Sequence, residues 1–319
     1  MGRKSQALVI TLWVVLSLSV LAVSLGHRVS MGLRLSSYQR DRLKALYMAK
    51  AAIILAIRQI TSDASLDCDS LNENWVDNEE VFKKIAFKAD MSEFASVSYN
   101  IIDDNNETKT IYGLVDEERK ININTASKEL LTALLEEFGI EWEQLDVVNN
   151  ILIWRGDIPD TNKIYENSGY PCKSGKFQNI EELILVKGIN PEDIEKLRKN
   201  ITVYGEGLTN INTVSFQTLK IISRAIAKKL SLESNFADTV TTKIITLRNE
   251  VGYFKENNDI KIATTGAEET NIFNELLKNI VLKSDNFSIE VCGNAGKIKR
   301  KVEVVYNRKE KGIIYWHET

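Results

Sequence analysis

From Ala7 to Leu25 the chain runs without a single charge. That is the length which about 20 residues at ~1.5 Å rise require to cross a ~30 Å hydrocarbon core. Arg3 and Lys4 precede the run, His27, Arg28 and Arg34 follow it, and the first carboxylate of the chain is Asp41. Beyond Gly32, apolar residues recur every three to four positions, at Leu43, Leu46/Tyr47, Ile53/Ile54, Ile57 and Ile60. Arg40, Lys44 and Arg58 occupy the other face, which predicts an amphipathic helix. No proline occurs before Pro159 to stop it. The two segments join into one rod over 7–61, about 80 Å long; the alternative is a break near Gly26 or Gly32.

The pattern then changes three times. Residues 62–80 are rich in Asp, Asn, Ser and Glu and read as a linker. Two β segments, Ala95–Ile102 and Thr108–Val115, flank the turn signal Asp103-Asp104-Asn105-Asn106. Helical spacing dominates from 120 to 283, with candidate helices at 126–138, 143–155, 180–187, 191–199, 214–229, 236–250 and 269–283. Alternation returns at Phe287, Ile289 and Val291, followed by a turn over Gly293–Gly296. Ile298, Val302, Val304 and Tyr306 then oppose Lys297, Lys299, Lys301 and Glu303, and a second turn over Asn307–Gly312 leads into Ile313–Trp316. This is an antiparallel meander with one wet face.

Strands that bracket helices predict an α+β fold, with a long N-terminal helix packed on an antiparallel sheet and an all-α domain inserted between its strands. The divisions are a leader (1–6), the N-terminal helix (7–61), linker and first strands (62–119), the inserted domain (120–283) and the closing strands (284–319).

Composition narrows the function. A net charge of −3 with 27% charged residues gives no global basic field for nucleic acid. Cys68, Cys172 and Cys292 are too few for a disulfide scaffold, although one bridge such as Cys68–Cys172 is compatible with an oxidising compartment. The two histidines, His27 and His317, have no evident nucleophile partner. Gly205-Glu206-Gly207 is followed by no Lys-Ser/Thr, and no Cys-x-x-Cys or His pair marks zinc. The reading is therefore no enzyme, with no catalytic residue and no organic cofactor. A cleavable signal peptide is the alternative to a permanent anchor, since Ala22-Val23-Ser24 offers small residues for cleavage and a mature start at Leu25.

The most specific internal text is a near-repeat, Asn-Ile-Asn-Thr-Ala at 122–126 and Asn-Ile-Asn-Thr-Val at 210–214. Each leads into an apolar-periodic helix, and Asn and Thr oxygens suit the free N–H groups at a helix start. With Phe177–Ile189, which reads F-x-x-I-E-E-L-x-L-V-K-G-I, these pieces resemble helix-hairpin-helix (SAM-like) units. Units of that kind bind duplex phosphates through free backbone N–H groups in a glycine turn. Here Glu141 follows Gly139-Ile140, Pro191 removes a donor after Gly188-Ile189-Asn190, and residues 121–205 carry 9 Lys/Arg against 14 Asp/Glu. No nucleic acid partner is expected. A membrane-anchored DNA-uptake protein using Lys187 and Lys196 is the alternative.

The combination of motifs resembles the K-type minor pseudopilins of bacterial type II (general) secretion systems. The resemblance runs through A-L-V-I-T-L-W-V-V-L at 7–16, A-L-Y-M-A-K-A-A-I-I-L-A-I-R at 45–58, V-D-E-E-R-K-I-N-I-N-T-A at 115–126 and Trp154-Arg155-Gly156-Asp157. It continues in Y-P-C-K-S-G-K-F at 170–177 and I-T-V-Y-G-E-G-L-T-N-I-N-T at 201–213. It implies a pilin-type fold, a single pass through the inner membrane, a periplasmic bulk and a place at the tip of a pseudopilus. The implied partners are I-type and J-type minor pseudopilins, the major pseudopilin, the inner-membrane assembly platform and membrane lipid. Leu8, Ile10, Leu12 and Trp13 become the assembly-helix residues. Leader cleavage with N-methylation is also implied, but the usual glycine before the apolar run is replaced by Ser5, and the nearby glycine is Gly2. Similarity to the family further implies calcium. Asp157, Asp160 and Glu166, with Asn162 in the same loop, are the oxygen ligands in question.

Overall fold

The structure is a computed structural model and describes residues 3–62, 67–87, 92–102, 107–141, 146–161, 163–166 and 169–319. The turn at Asp103–Asn106, Asn162, Gly2 and the start of the linker at 63–66 lie outside the described residues.

Helix α1 (Arg3–Thr61) is a single unbroken helix, about 88 Å long at ~1.5 Å per residue; neither Gly26 nor Gly32 interrupts it. Its lower half packs on a sheet of order β1 (Ile85–Ala86), β2 (Glu93–Val97), β10 (Asn286–Ala295), β11 (Ile298–Asn307), β12 (Gly312–Glu318). The packed face keeps Leu46, Ile53, Ile57 and Ile60 of the expected stripe and adds a row of alanines in place of the larger outward residues. Ala45, Ala49, Ala52 and Ala56 are fully buried with Met48, Ile53 and Ile60, whereas Leu43, Tyr47 and Ile54 face outwards. Close approach is the reason. A Cβ on Gly293 in β10 would sit 1.9 Å from the Ala45 carbonyl oxygen, so helix backbone lies directly on strand backbone and only small residues fit between. The same contact explains why β10 runs straight through Gly293, where a turn was expected; the tight turn is Gly296-Lys297.

The linker is also more ordered than its composition implies. Cys68, Asp69, Ser70, Trp75 and Val76 are buried, and Trp75 meets Phe287 edge-on at 5.2 Å between centroids. After helix α2 (Glu79–Phe82), β3 (Tyr99–Ile102) and β4 (Thr108–Ile111) form a separate hairpin. Strand β5 (Val115–Asp116) then pairs with Phe287 and Ser288 of β10. The chain leaves the sheet at β5 and re-enters beside it at β10, which places everything between as an insertion.

That insertion is one unit built twice. The first unit runs β6 (Ile121–Asn122), α3 (Lys128–Glu137), α4 (Val147–Arg155), a 3-10 turn at Ile180–Leu185, α5 (Pro191–Leu197) and β7 (Ile201–Thr202). The second runs β8 (Thr209–Asn210), α6 (Phe216–Lys229), α7 (Ser234–Val251), a 3-10 turn at Asn257–Asp259, α8 (Ala267–Leu276) and β9 (Ile280–Val281). Each is closed by a two-residue parallel pair, β6 with β7 and β8 with β9, so the insertion is helical but not purely so. The expected helix at 180–187 is a 3-10 turn, and the expected helix at 269–283 ends at Leu276 to let β9 pair.

The repeated Asn-Ile-Asn-Thr text encodes one hydrogen-bond set used in both units. The first Asn (122 or 210) accepts from the N–H of the second at 2.8 or 3.0 Å. The second Asn clasps a distant backbone with both ends of its amide. Asn124 donates to Phe177 O (2.9 Å) and accepts from Phe177 N (2.7 Å); Asn212 does the same with Phe254 (2.9 and 2.8 Å). An amide carries its donor and its acceptor on two separate atoms of one plane, so it meets the N–H and the C=O of a single residue side by side. Helix capping falls instead to Ser127 and Ser215, just after each repeat.

Candidate functional site

The upper half of α1 forms one exposed apolar surface. Leu8 (70% exposed), Ile10, Leu12 and Trp13 (66% exposed) lie on it, and no other described element covers the helix from Ala7 to Leu35. The helix is long and apolar enough to cross a membrane. Below that segment the outward residues Leu43 and Tyr47 border a groove of about 410 Å³ between α1 and the β1–β2 hairpin, floored by Met48, Ala51 and Phe87. Lys44 and Glu93 close one edge of it with a 2.8 Å ion pair.

The loop proposed for calcium is held by protein groups. Arg155 clasps Asp157 through Nε (2.9 Å) and Nη2, while its Nη1 donates to the Ile123 and Ala126 carbonyls. Asp160 accepts from the backbone N–H groups of Ile164 (2.8 Å) and Tyr165 (3.1 Å). Glu166 pairs with Lys163 at 2.9 Å on the surface. Tyr165 and Tyr170 stack round Trp154, and their hydroxyls donate to Asn150 O and Leu185 O. Asp157, Asp160 and Glu166 thus each serve internal partners of their own, and no metal-holding group of three His, Cys, Asp or Glu occurs among the described residues. This arrangement does not fit a preformed calcium site. Cys68, Cys172 and Cys292 are free thiols.

A dense polar cluster lies where the insertion joins the sheet, at carboxyls that sequence reasoning quoted within a longer motif but gave no role. Asp116, Glu117 and Glu118 are consecutive carboxyls, and all three are buried. The Oδ2 atom of Asp116 accepts from Thr213 Oγ1 (2.5 Å), Ser284 Oγ (2.7 Å) and Asn210 Nδ2 (3.2 Å). Glu117 accepts from Lys120 Nζ and Thr202 Oγ1, each at 2.6 Å, and from Ser288 Oγ. Glu118 accepts from the backbone and side-chain amides of Asn286, at 3.1 and 2.7 Å. Nearby, Arg308 holds the fully buried Asp69 through two bonds of 2.9 and 2.6 Å. Burial, and then the Asp116 charge, pushes Glu118 up to about 8. Burial also raises Asp116. For Glu117 burial acts in the same sense, but Lys120 and the two hydroxyls outweigh it and the carboxyl is lowered. The cluster ties linker and sheet to both helical units, through Thr202 in the first and Asn210 and Thr213 in the second. The signal available in sequence was the run of three carboxyls between Val115 and the cations Arg119 and Lys120.

No family model matches the chain, and no curated protein matches it. Among solved structures, the chain is similar to one from the crystal structure of the GspK-GspI-GspJ complex of the enterotoxigenic Escherichia coli type 2 secretion system. The match has a TM-score of 0.65 at 11% identity and covers 89% of this chain and 99% of that one. At that identity the likeness is one of fold: a long N-terminal helix on an antiparallel sheet with further helices, the α+β pilin-like architecture expected from the sequence.

Proposed function

We propose that this chain is a K-type minor pseudopilin, a single-pass inner-membrane protein whose bulk stands in the periplasm at the tip of a type II secretion pseudopilus. The observation that carries this reading is the architecture. An apolar, uncovered helix continues without a break into a sheet that bears a large helical insertion, and a solved chain of a GspK-GspI-GspJ complex is matched over 99% of its length. In this reading Leu8, Ile10, Leu12 and Trp13 pack in lipid or against neighbouring helices, and Leu43, Tyr47 and Ile54 extend that ridge above the membrane. The terminal position is supported by the absence of any carboxylate before Asp41. A carboxylate at the bilayer centre costs about 2.5–3.5 kcal/mol unless an amine from a neighbouring subunit meets it. A subunit with none beyond it has no such amine. The bulky insertion blocks further growth in the same direction, so the chain nucleates and caps. The partners are I-type and J-type minor pseudopilins, with the major pseudopilin and the assembly platform below.

Co-expression of the full chain with the I-type and J-type pseudopilins of the same organism tests this. Detergent extraction and affinity purification on this chain are expected to return a stoichiometric ternary complex. Recovery of this chain alone, while the other two still purify with each other, overturns the reading.

A further inference from the structure

Strand β12 ends the path of the main sheet and is paired on one side only, to β11. Thr319 fixes which of its main-chain groups that pairing uses. The Thr319 N–H donates to the Lys301 carbonyl (2.9 Å) and its carbonyl accepts from the Lys301 N–H (3.1 Å). Alternation along an antiparallel pair then turns Tyr315 and His317 towards β11, and the N–H and C=O groups of Trp316 and Glu318 outwards. No described group bonds to those outward atoms. Features that protect an edge are confined to the start of the strand, where the register shifts between Val305 and Tyr306 and where Lys309 and Lys311 stand in the turn. Residues 315–319 hold no lysine or proline, and Trp316 among them is 38% exposed.

The surface beside this edge adds chemistry. Trp316 shares a face with its cross-strand partner Val304, which packs in the core beneath α1. On that side the Lys50 ammonium of α1 lies 5.4 Å from the Trp316 ring and 5.8 Å from the Tyr47 ring. Among the described residues no carboxylate pairs with Lys50. On the other face Tyr315 meets Tyr204 at 6.3 Å between centroids. The edge therefore presents main-chain donors and acceptors at strand spacing, an aromatic wall and one cation. Only an extended backbone satisfies the first of these.

A second copy of the chain does not fit. Two-fold pairing of β12 with itself runs antiparallel and points the two α1 helices, both on one face of the joined sheet, in opposite directions. Their apolar halves could not then enter one membrane. Pairing β12 with β1 of another copy offers only the two residues of that strand.

We propose that the outer edge of β12 receives an extended strand of another protein, which continues the sheet and sets an acidic side chain against Lys50. The inference does not depend on the pseudopilin reading.

The test uses the full chain in neutral detergent, the N-acetylated, C-amidated peptide Thr-Val-Glu-Val-Thr-Val-Thr, and residue-level hydrogen exchange. The peptide is expected to slow exchange of the Trp316 and Glu318 amides saturably, by about tenfold, and to leave Tyr315 and His317, already in the ladder, unchanged. Trp316→Ala keeps the outward N–H and is expected to retain the effect at Glu318. Trp316→Pro removes that N–H at a place where an edge strand accepts proline, and is expected to abolish it. Lys50→Glu is expected to weaken the peptide about threefold and to favour its Glu→Lys counterpart, which decides the matter even if proline loosens β12. No saturable slowing at Glu318 in the wild type, or undiminished slowing in a folded Trp316→Pro, overturns the proposal. So does protection of Trp316 and Glu318 that rises with protein concentration in the absence of peptide, the signature of a second copy. An unchanged preference between the two peptides in Lys50→Glu overturns the acidic side chain.

Discussion

Glu118→Gln gives the sharpest test of the junction. Burial, and then the charge of Asp116, displace the carboxyl from 4.5 to about 8 against the two donors of Asn286, which act to lower it. Because its folded value is raised, its stabilising contribution is complete below pH 4.5 and is lost as pH rises through 8. One pH unit of displacement is worth about 1.4 kcal/mol, so ionisation costs the folded state on the order of a few kcal/mol by pH 9. Gln cannot ionise, but its amide nitrogen meets a donor on Asn286, which forfeits about 1 kcal/mol of hydrogen bonding. The variant is therefore expected to be less stable than wild type at pH 5 and more stable at pH 9. Glu117 cannot mimic this, since its lowered value gives a contribution that is present above pH 4.5 and lost only in acid. Urea midpoints of the full chain in neutral detergent, taken from pH 5 to 9 at fixed ionic strength, measure the effect. Two curves that stay parallel over this range would refute the reasoning.

Three further outcomes follow from the packing. Gly293→Val places a side chain where the Ala45 carbonyl already lies; it is expected to cost about 3 kcal/mol or more, and a urea midpoint close to wild type would mean that helix and sheet separate freely. Asn124→Ala removes three loop-closing bonds and Asn212→Ala two, about 2–3 kcal/mol each, and hydrogen exchange should show deprotection round Phe177 in the first and round Phe254 in the second; simultaneous loss at both would contradict two separately closed units. Asp157→Ala combined with Asp160→Ala removes an arginine clasp and the side-chain acceptors of two backbone N–H groups, so the melting temperature should fall equally in calcium and in chelator. A fall seen only with calcium would restore the metal.

What could be read from the sequence was whatever a period or a run expresses. The uncharged stretch from Ala7, the absence of an early proline and the alternation in β11 all appear as helix or strand in the structure. The burial of α1 was legible at Leu46, Ile53, Ile57 and Ile60 and misjudged at three other positions, where size was taken for hydrophobic drive. Leu43, Tyr47 and Ile54 were assigned to the core, yet the alanines are buried, since Gly293 brings the sheet too close for anything larger. The two-residue strands β6 to β9 are too short to carry a period. Trp75 and Asp69 sit in a segment whose composition reads as solvent-exposed, and only their distant partners Phe287 and Arg308 explain their burial. The calcium ligands were chosen by residue type, and type alone does not reveal that Arg155 already holds Asp157.

The duplicated unit shows why so little of its text repeats. Its closure needs three side-chain types to meet: an Asn for the Phe backbone, an Arg for the loop carbonyls, and a Ser to cap the next helix. Nothing in that set constrains the length of chain between Arg and Phe, and the two units differ there, with residues 156–176 in the first and only 249–253 in the second. Helix α4 stops at Arg155, so Asp157 turns back onto its arginine and the long connection packs Tyr165 and Tyr170 on Trp154; α7 runs on to Val251, so Glu250 stays on the helix and Arg248 is held, among the described residues, by the Ile211 and Val214 carbonyls. A difference in where the helix ends, which the fold tolerates, is therefore also the difference between a guanidinium paired with a carboxylate and one bonded to backbone carbonyls.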